Sequence, residues 1–125
     1  MTKILIAEDD KDIRDLIVLT LDFHGFDVVP VEDGAAAVEK AQQGSFDIIL
    51  MDVRMPRMTG YEACRRLKED ESTQSIPIIF LSAKGQETEI QTGLQAGASD
   101  YVLKPFSPDS LIQTIKRVLE REASA

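Results

Sequence analysis

Residues 47–62 read DIILMDVRMPRMTGYE. The apolar run at the front, residues 47–51 (DIILM), is continuous rather than alternating. Strands buried on both faces have that pattern, and they belong to parallel sheets covered by helices. The run ends on a carboxylate, Asp52. After a short loop, Thr59-Gly-Tyr-Glu62 has the form of a capping box, with Thr59 as N-cap of a helix. The stretch is therefore a strand that hands over, through an acidic end, to a helix.

Four further apolar runs flank it: residues 3–7 (KILIA), 27–31 (DVVPV), 77–81 (PIIFL) and 99–103 (SDYVL). Pro30 has no N–H to give a ladder, so the second run belongs at a sheet edge. Segments of helical period lie between the runs. The first places Ile13, Leu16, Ile17 and Leu21 on one stripe and stops at His24-Gly25. The last carries Leu111, Ile112, Ile115, Val118 and Leu119, with Ser107 as N-cap and Pro108 at the first helical position. Residues 84–96 have few apolar anchors, mainly Ile90 and Leu94, and should form the least firmly docked helix. Strand and helix alternate five times with short connections. That predicts an α/β, doubly wound, five-stranded parallel sheet of order 2-1-3-4-5.

Composition sets the limits. A chain of 125 residues is one domain, 1–125, with residues 122–125 as a frayed tail. No apolar run approaches a membrane span, and acids follow the first apolar run too closely for a signal peptide. The single cysteine, Cys64, excludes an internal disulfide and a cysteine-based metal site. The net charge of −8 argues against a nucleic-acid surface on this domain. The expected setting is cytoplasmic.

In such folds ligands bind at the carboxyl ends of the strands, near the topological switch point. After the first run come Glu8, Asp9 and Asp10; after the third, Asp52; after the fourth, Ser82; after the fifth, Lys104-Pro105. The edge run is followed only by the turn Glu32-Asp33-Gly34. Carboxylates crowded in one crevice repel each other unless a divalent cation sits among them. A few hard oxygen ligands suit Mg²⁺ with retained waters. A carboxylate beside Mg²⁺ and a lysine is placed to attack a phosphoryl group, whose equatorial charge both cations would offset. Simpler roles are open for several residues. Asp10 or Asp12 serves as N-cap of the first helix. His24 sits at a helix C-terminus. Cys64 shares a helix face with Gly60, Ala63 and Leu67 as a core filler. An EF-hand loop from Asp10 is rejected by Arg14 and Asp15 at its fifth and sixth positions.

With these residues in view, the whole chain resembles the receiver domain of bacterial two-component response regulators. The resemblance rests on ILIAEDD, on DIILMDVRMPRMTGYE, on IIFLSA and on GASDYVLKPF. It implies a flavodoxin-like (βα)5 fold and a phosphorylation-activated switch rather than an enzyme. Asp52 is then similar to the aspartate that accepts a phosphoryl group from a sensor histidine kinase or phosphotransfer protein. Glu8 and Asp9 resemble the acidic pair that holds Mg²⁺, with Asp52 and the backbone carbonyl of Arg54 as further ligands. Ser82 and Tyr101 resemble the switch pair, and Lys104 the phosphate-pairing lysine, with a cis Lys104–Pro105 bond. Arg54 and Lys84 stand where phosphoryl lifetime is tuned. Family members that dimerise through the fourth helix, fifth strand and fifth helix typically carry an arginine at Ile90 and an acid at Ser99. Their replacement here implies a largely monomeric domain whose activated face binds a different protein.

Two other functions meet obstacles. A haloacid-dehalogenase-like phosphatase wants a second aspartate two residues after the nucleophile, where Arg54 stands. A flavin carrier needs a Ser/Thr/Gly-rich phosphate loop after the first strand, where Glu8-Asp9-Asp10 stands. A receiver used purely as an unphosphorylated docking module has no need of the full set of site residues retained here.

Overall fold

The computed structural model describes residues 2–83 and 87–124. Ten elements alternate along the chain: β1 (Lys3–Ala7), α1 (Lys11–Phe23), β2 (Asp27–Val31), α2 (Gly34–Gln43), β3 (Ile48–Asp52), α3 (Gly60–Glu69), β4 (Ile78–Ala83), α4 (Glu87–Gln95), β5 (Asp100–Lys104) and α5 (Pro108–Ser124). The five strands form one parallel sheet of order β2-β1-β3-β4-β5. Pro30 lies on the edge strand, as its missing N–H requires.

Alternating residues of the central strands divide the core into two layers. Leu5, Ala7, Ile49, Met51, Ile78 and Phe80 face α2, α3 and α4, where Ala37, Ala63, Cys64, Leu67 and Ala96 meet them. Ile4, Ile6, Ile48, Leu50, Ile79 and Leu81 face α1 and α5, against Ile17, Leu21, Leu111, Ile115 and Val118. Both faces of the sheet are thus covered, which is why the central strands carry continuous apolar runs.

Three strands sit further along the chain than the apolar runs suggest. β3 starts at Ile48; just before it the Asp47 carboxylate accepts from the Lys3 backbone N–H at 2.8 Å, and the Asp47 N–H donates to the Lys3 carbonyl at 2.9 Å. β4 starts after Pro77, which cannot donate to a ladder, and runs on to Ala83. β5 pairs Ser82 with Leu103 and Ala83 with Lys104. The consequence is functional: Asp52, Ser82 and Lys104 stand within the strands rather than after them.

Two expected anchors are not buried. Leu16 is 53% exposed, because the face of α1 that meets the sheet runs through Ile17 and Leu21, and Leu16 lies about 100° round from Ile17. Leu94 is 41% exposed. α4 docks instead through Gly93 and Ala96, with Ile90 half-buried. A Cβ on Gly93 would lie 2.6 Å from Phe80 Cδ2, so the helix approaches β4 more closely than any larger residue would allow.

Candidate functional site

At the carboxyl edge of the sheet, β1 delivers Glu8 and Asp9, and β3 delivers Asp52. Glu8 is fully buried, Asp52 nearly so, and Asp9 is exposed. One carboxylate oxygen from each lies within 4.8 Å of the other two. Lys104, from β5, reaches across β4 to β3 and β1: its Nζ is 3.3 Å from Asp52 Oδ2 and 2.8 Å from Glu8 Oε1. Ser82, from β4, is buried, and among the described residues its Oγ has no hydrogen-bond partner. A buried hydroxyl without a partner is costly. Tyr101 lies two residues before Leu103, the register partner of Ser82, and is partly exposed. The Lys104–Pro105 bond is cis.

The electrostatics follow from this crowding. Burial, with Asp52 alongside, pushes the Glu8 carboxyl above its ordinary range, and Lys104 only partly offsets this. Asp9 is also raised, by partial burial and then by the neighbouring Glu8. Burial pulls the Lys104 ammonium down, but the Glu8 and Asp52 carboxylates outweigh it and leave the group raised. The lysine stays charged, and it is one ammonium facing three carboxyl groups.

The third acid of the run is committed elsewhere. Asp10 is the N-cap of α1, its Oδ1 accepting from Ile13 N–H at 3.1 Å, while Asp12 lies in the first turn. Glu8 is steadied by its own neighbours: its Oε2 accepts from Asp10 N–H at 3.3 Å, and its carbonyl accepts from Arg14 Nη1 at 2.8 Å. His24 closes α1, its Nδ1 2.9 Å from the Thr20 carbonyl. Cys64 is buried, and its thiol donates to the Ala96 carbonyl at 3.4 Å. Thr59 caps α3 by accepting from Glu62 N–H at 3.2 Å, whereas the Glu62 carboxylate pairs with Arg66. Lys84 lies outside the described residues.

Asp33 carries more than a turn. Its buried carboxylate caps α2 and pairs with Arg57 of the β3–α3 loop. An Asp-Gly pair ahead of AAAVEKAQQ is an N-cap signal that could have revealed the first role. Nothing local in the sequence marks the second.

These features describe a parallel α/β domain with acidic groups and a lysine gathered at its switch point. The model of the response regulator receiver domain matches residues 4–116, and the chain belongs to that family. It is thus a receiver domain of two-component response regulators, a class that works by phosphorylation-dependent signalling. It is 42% identical over 118 residues to the phosphate regulon transcriptional regulatory protein PhoB of Pseudomonas aeruginosa, covering 94% of this chain and 52% of that protein. The chain spans about half the length of the curated relatives it matches. Among solved structures, a putative response regulator from Chloroflexus aurantiacus superposes with a TM-score of 0.92 at 31% identity, covering 95% of this chain and 98% of that one. The receiver domain of sensor histidine kinase PA1611 from Pseudomonas aeruginosa, with a magnesium ion coordinated in its active site cleft, gives 0.89 at 35% identity, covering 95% and 98%. Among the described residues no helix is long and apolar enough to cross a membrane.

Proposed function

We propose that Asp52 is the phosphoacceptor of this domain and that Glu8, Asp9, Asp52 and the Arg54 backbone carbonyl hold Mg²⁺. The observation that carries the reading is the environment of Asp52. One carboxylate oxygen is paired with Lys104, and a buried Ser82 hydroxyl with no partner among the described residues stands on the adjacent strand. The donor set fits the metal: hard carboxylate oxygens, close together, one of them open to solvent.

Asp52 attacks the phosphorus of a phosphohistidine on a sensor histidine kinase or phosphotransfer protein. The new O–P bond forms as the P–N bond breaks, and the imidazole leaves with a proton from solvent. Mg²⁺, when bound, supplies positive charge to the phosphoryl oxygens. Lys104 adds a second positive charge, released in part from Glu8 and Asp52. An open apolar groove of about 310 Å³, lined by Ile13, Leu16, Lys104, Pro105 and Phe106, adjoins the site. It supports docking there of an apolar helix surface of the donor protein.

The phosphoryl group adds about −1.5 to −2 charge. Ser82 Oγ then gains an acceptor. Its movement frees space for Tyr101 and biases the α4–β5–α5 face between two states. On that face Asp100 is already held by Arg117 at 3.2 Å and Arg121 at 3.3 Å of the same molecule. With those arginines engaged internally, we read the domain, 1–125, as largely monomeric and its activated face as a surface for a different protein. The net charge of −8 supports no direct nucleic-acid contact, and we place the domain in the cytoplasm.

The test is intact-mass spectrometry after acetyl phosphate and Mg²⁺. The wild-type protein gains one phosphoryl group; Asp52→Asn gains none, and Asp9→Ala loses the magnesium dependence. Equal phosphorylation of the Asp52→Asn variant would overturn the assignment.

A further inference from the structure

The segment between β3 and α3 begins one residue after Asp52 and includes Arg54. Its far end is set by α3: Gly60 N–H donates to the Val53 carbonyl at 2.9 Å, and a Cβ on Gly60 would overlap the Asp52 carbonyl oxygen. Its middle is a tight reversal. Met58 N–H donates to the Pro56 carbonyl at 2.7 Å, and Arg57 between them has φ 69°. That is the geometry of a γ-turn of the rare, strained kind, at the one non-glycine residue with positive φ among the described residues. Strain of this sort persists only where the surroundings over-determine it.

Two contacts with the start of α2 do so. Arg57 Nη1 lies 3.2 Å from Asp33 Oδ2. Asp33 cannot swing away, because it is buried and its Oδ1 accepts from Ala36 N–H at 2.8 Å as the cap of α2. Beside it, Gly34 touches the loop backbone directly: an added Cβ would overlap the Met58 carbonyl oxygen and lie 3.1 Å from its carbon. An exposed ion pair stabilises little by itself. Here it acts together with a backbone-to-backbone contact on a loop that carries Arg54, and Met55 and Met58 pack beneath into the core.

We propose that Asp33, Gly34 and Arg57 are positioning residues for phosphoryl acceptance: they seat the β3–α3 loop on the start of α2 and so hold the Arg54 carbonyl in place. The inference rests on the metal-site reading above, and it extends the functional unit to the edge strand's own connection, where no chemistry-bearing group reaches Asp52.

The test uses the chain as it stands, with the double variant Arg57→Ala/Asp33→Asn and four single variants: Gly34→Ala, Arg57→Ala, Arg57→Lys and Asp33→Asn. The last keeps the cap acceptor and removes the charge. Magnesium affinity is read by titration of backbone amide NMR signals, and exchange of amides 54–59 is read in metal-free protein. Gly34→Ala should weaken magnesium binding about tenfold, as loss of outer support for a ligand commonly does. Arg57→Ala and Asp33→Asn should each weaken it about threefold, and the double variant no further, because both remove one interaction. Arg57→Lys should recover part of the loss, which a general effect of folding would not do. All variants should exchange the loop amides faster while melting within a few degrees of wild type. Wild-type magnesium affinity and loop exchange in both Gly34→Ala and Arg57→Ala would overturn the seat. A wild-type protein without any magnesium response would overturn the metal-site reading instead, and the metal-free exchange would still decide whether the seat exists.

Discussion

The two helices that flank β5 are held in opposite ways. α5 packs on β5 and buries Leu111, Ile112, Ile115 and Val118 in the core layer that also holds Ile79, Leu81 and Val102. α4 and the residue after it offer the sheet Gly93, Ala96 and a half-buried Ile90, while Leu94 is exposed. Large branched side chains interlock and resist sliding, because each occupies a shaped hole. A small-residue face has little to interlock and tolerates displacement at low cost. The comparison teaches that the domain has a fixed wall on one side of β5 and an element with shallow anchorage on the other. The shift of one face proposed above would draw on that asymmetry.

The comparison breaks most visibly in stability. Leu111→Ala in α5 should cost about 2–5 kcal/mol, since it empties a fully enclosed site. Leu94→Ala in α4 should stay within about 0.5 kcal/mol. Urea unfolding measures both, and equal losses would remove the asymmetry.

A pH titration sharpens the picture at the joint between α3 and α4. Burial pushes the Cys64 thiol up from 9.0 to about 11. The folded state therefore holds a proton that the unfolded chain has lost. Stability should fall as pH rises from about 9 to about 11, by about 3 kcal/mol in total. Cys64→Ala should remove that segment of the profile. At pH 8 the native thiol should react with a disulfide reagent only as fast as the protein opens.

The smallest effect tests the glycine itself. Gly93→Ala improves intrinsic helix propensity by about 1 kcal/mol. The new methyl group nonetheless meets the Phe80 ring at 2.6 Å, and the net result should be a loss of about 1 kcal/mol. In a Phe80→Leu background the same substitution should become neutral or stabilising. A double-variant cycle on thermal unfolding separates the two contributions.

How much of this was legible depends on whether the information is local. Unbroken runs such as KILIA and PIIFL mark strands buried on both faces, and Thr59, Ser107 and Pro108 mark helix starts that the structure bears out. Glu8, Asp9, Asp52, Ser82 and Lys104 were visible as polar residues at the ends of those runs. Their convergence follows from topology, which brings parallel strand ends to one edge. Leu16 and Leu94 belong to the apolar pattern yet are exposed, because a helical stripe is wider than the face a neighbour covers, and nothing in the chain says how the helix is rotated.

Sequence by itself determined the strand–helix alternation, the sheet order and the acidic character of one edge, because these depend on side-chain period, on Pro30 and on residues next to each other in the chain. Only the tertiary structure decided that Lys104 bridges Glu8 and Asp52, that Ser82 Oγ stands without a partner among the described residues, and that Arg57 reaches Asp33. Those pairings join residues 24 to 96 positions apart, across separate elements. Their distances are set by the packing of the elements rather than by any local preference of the residues that make them.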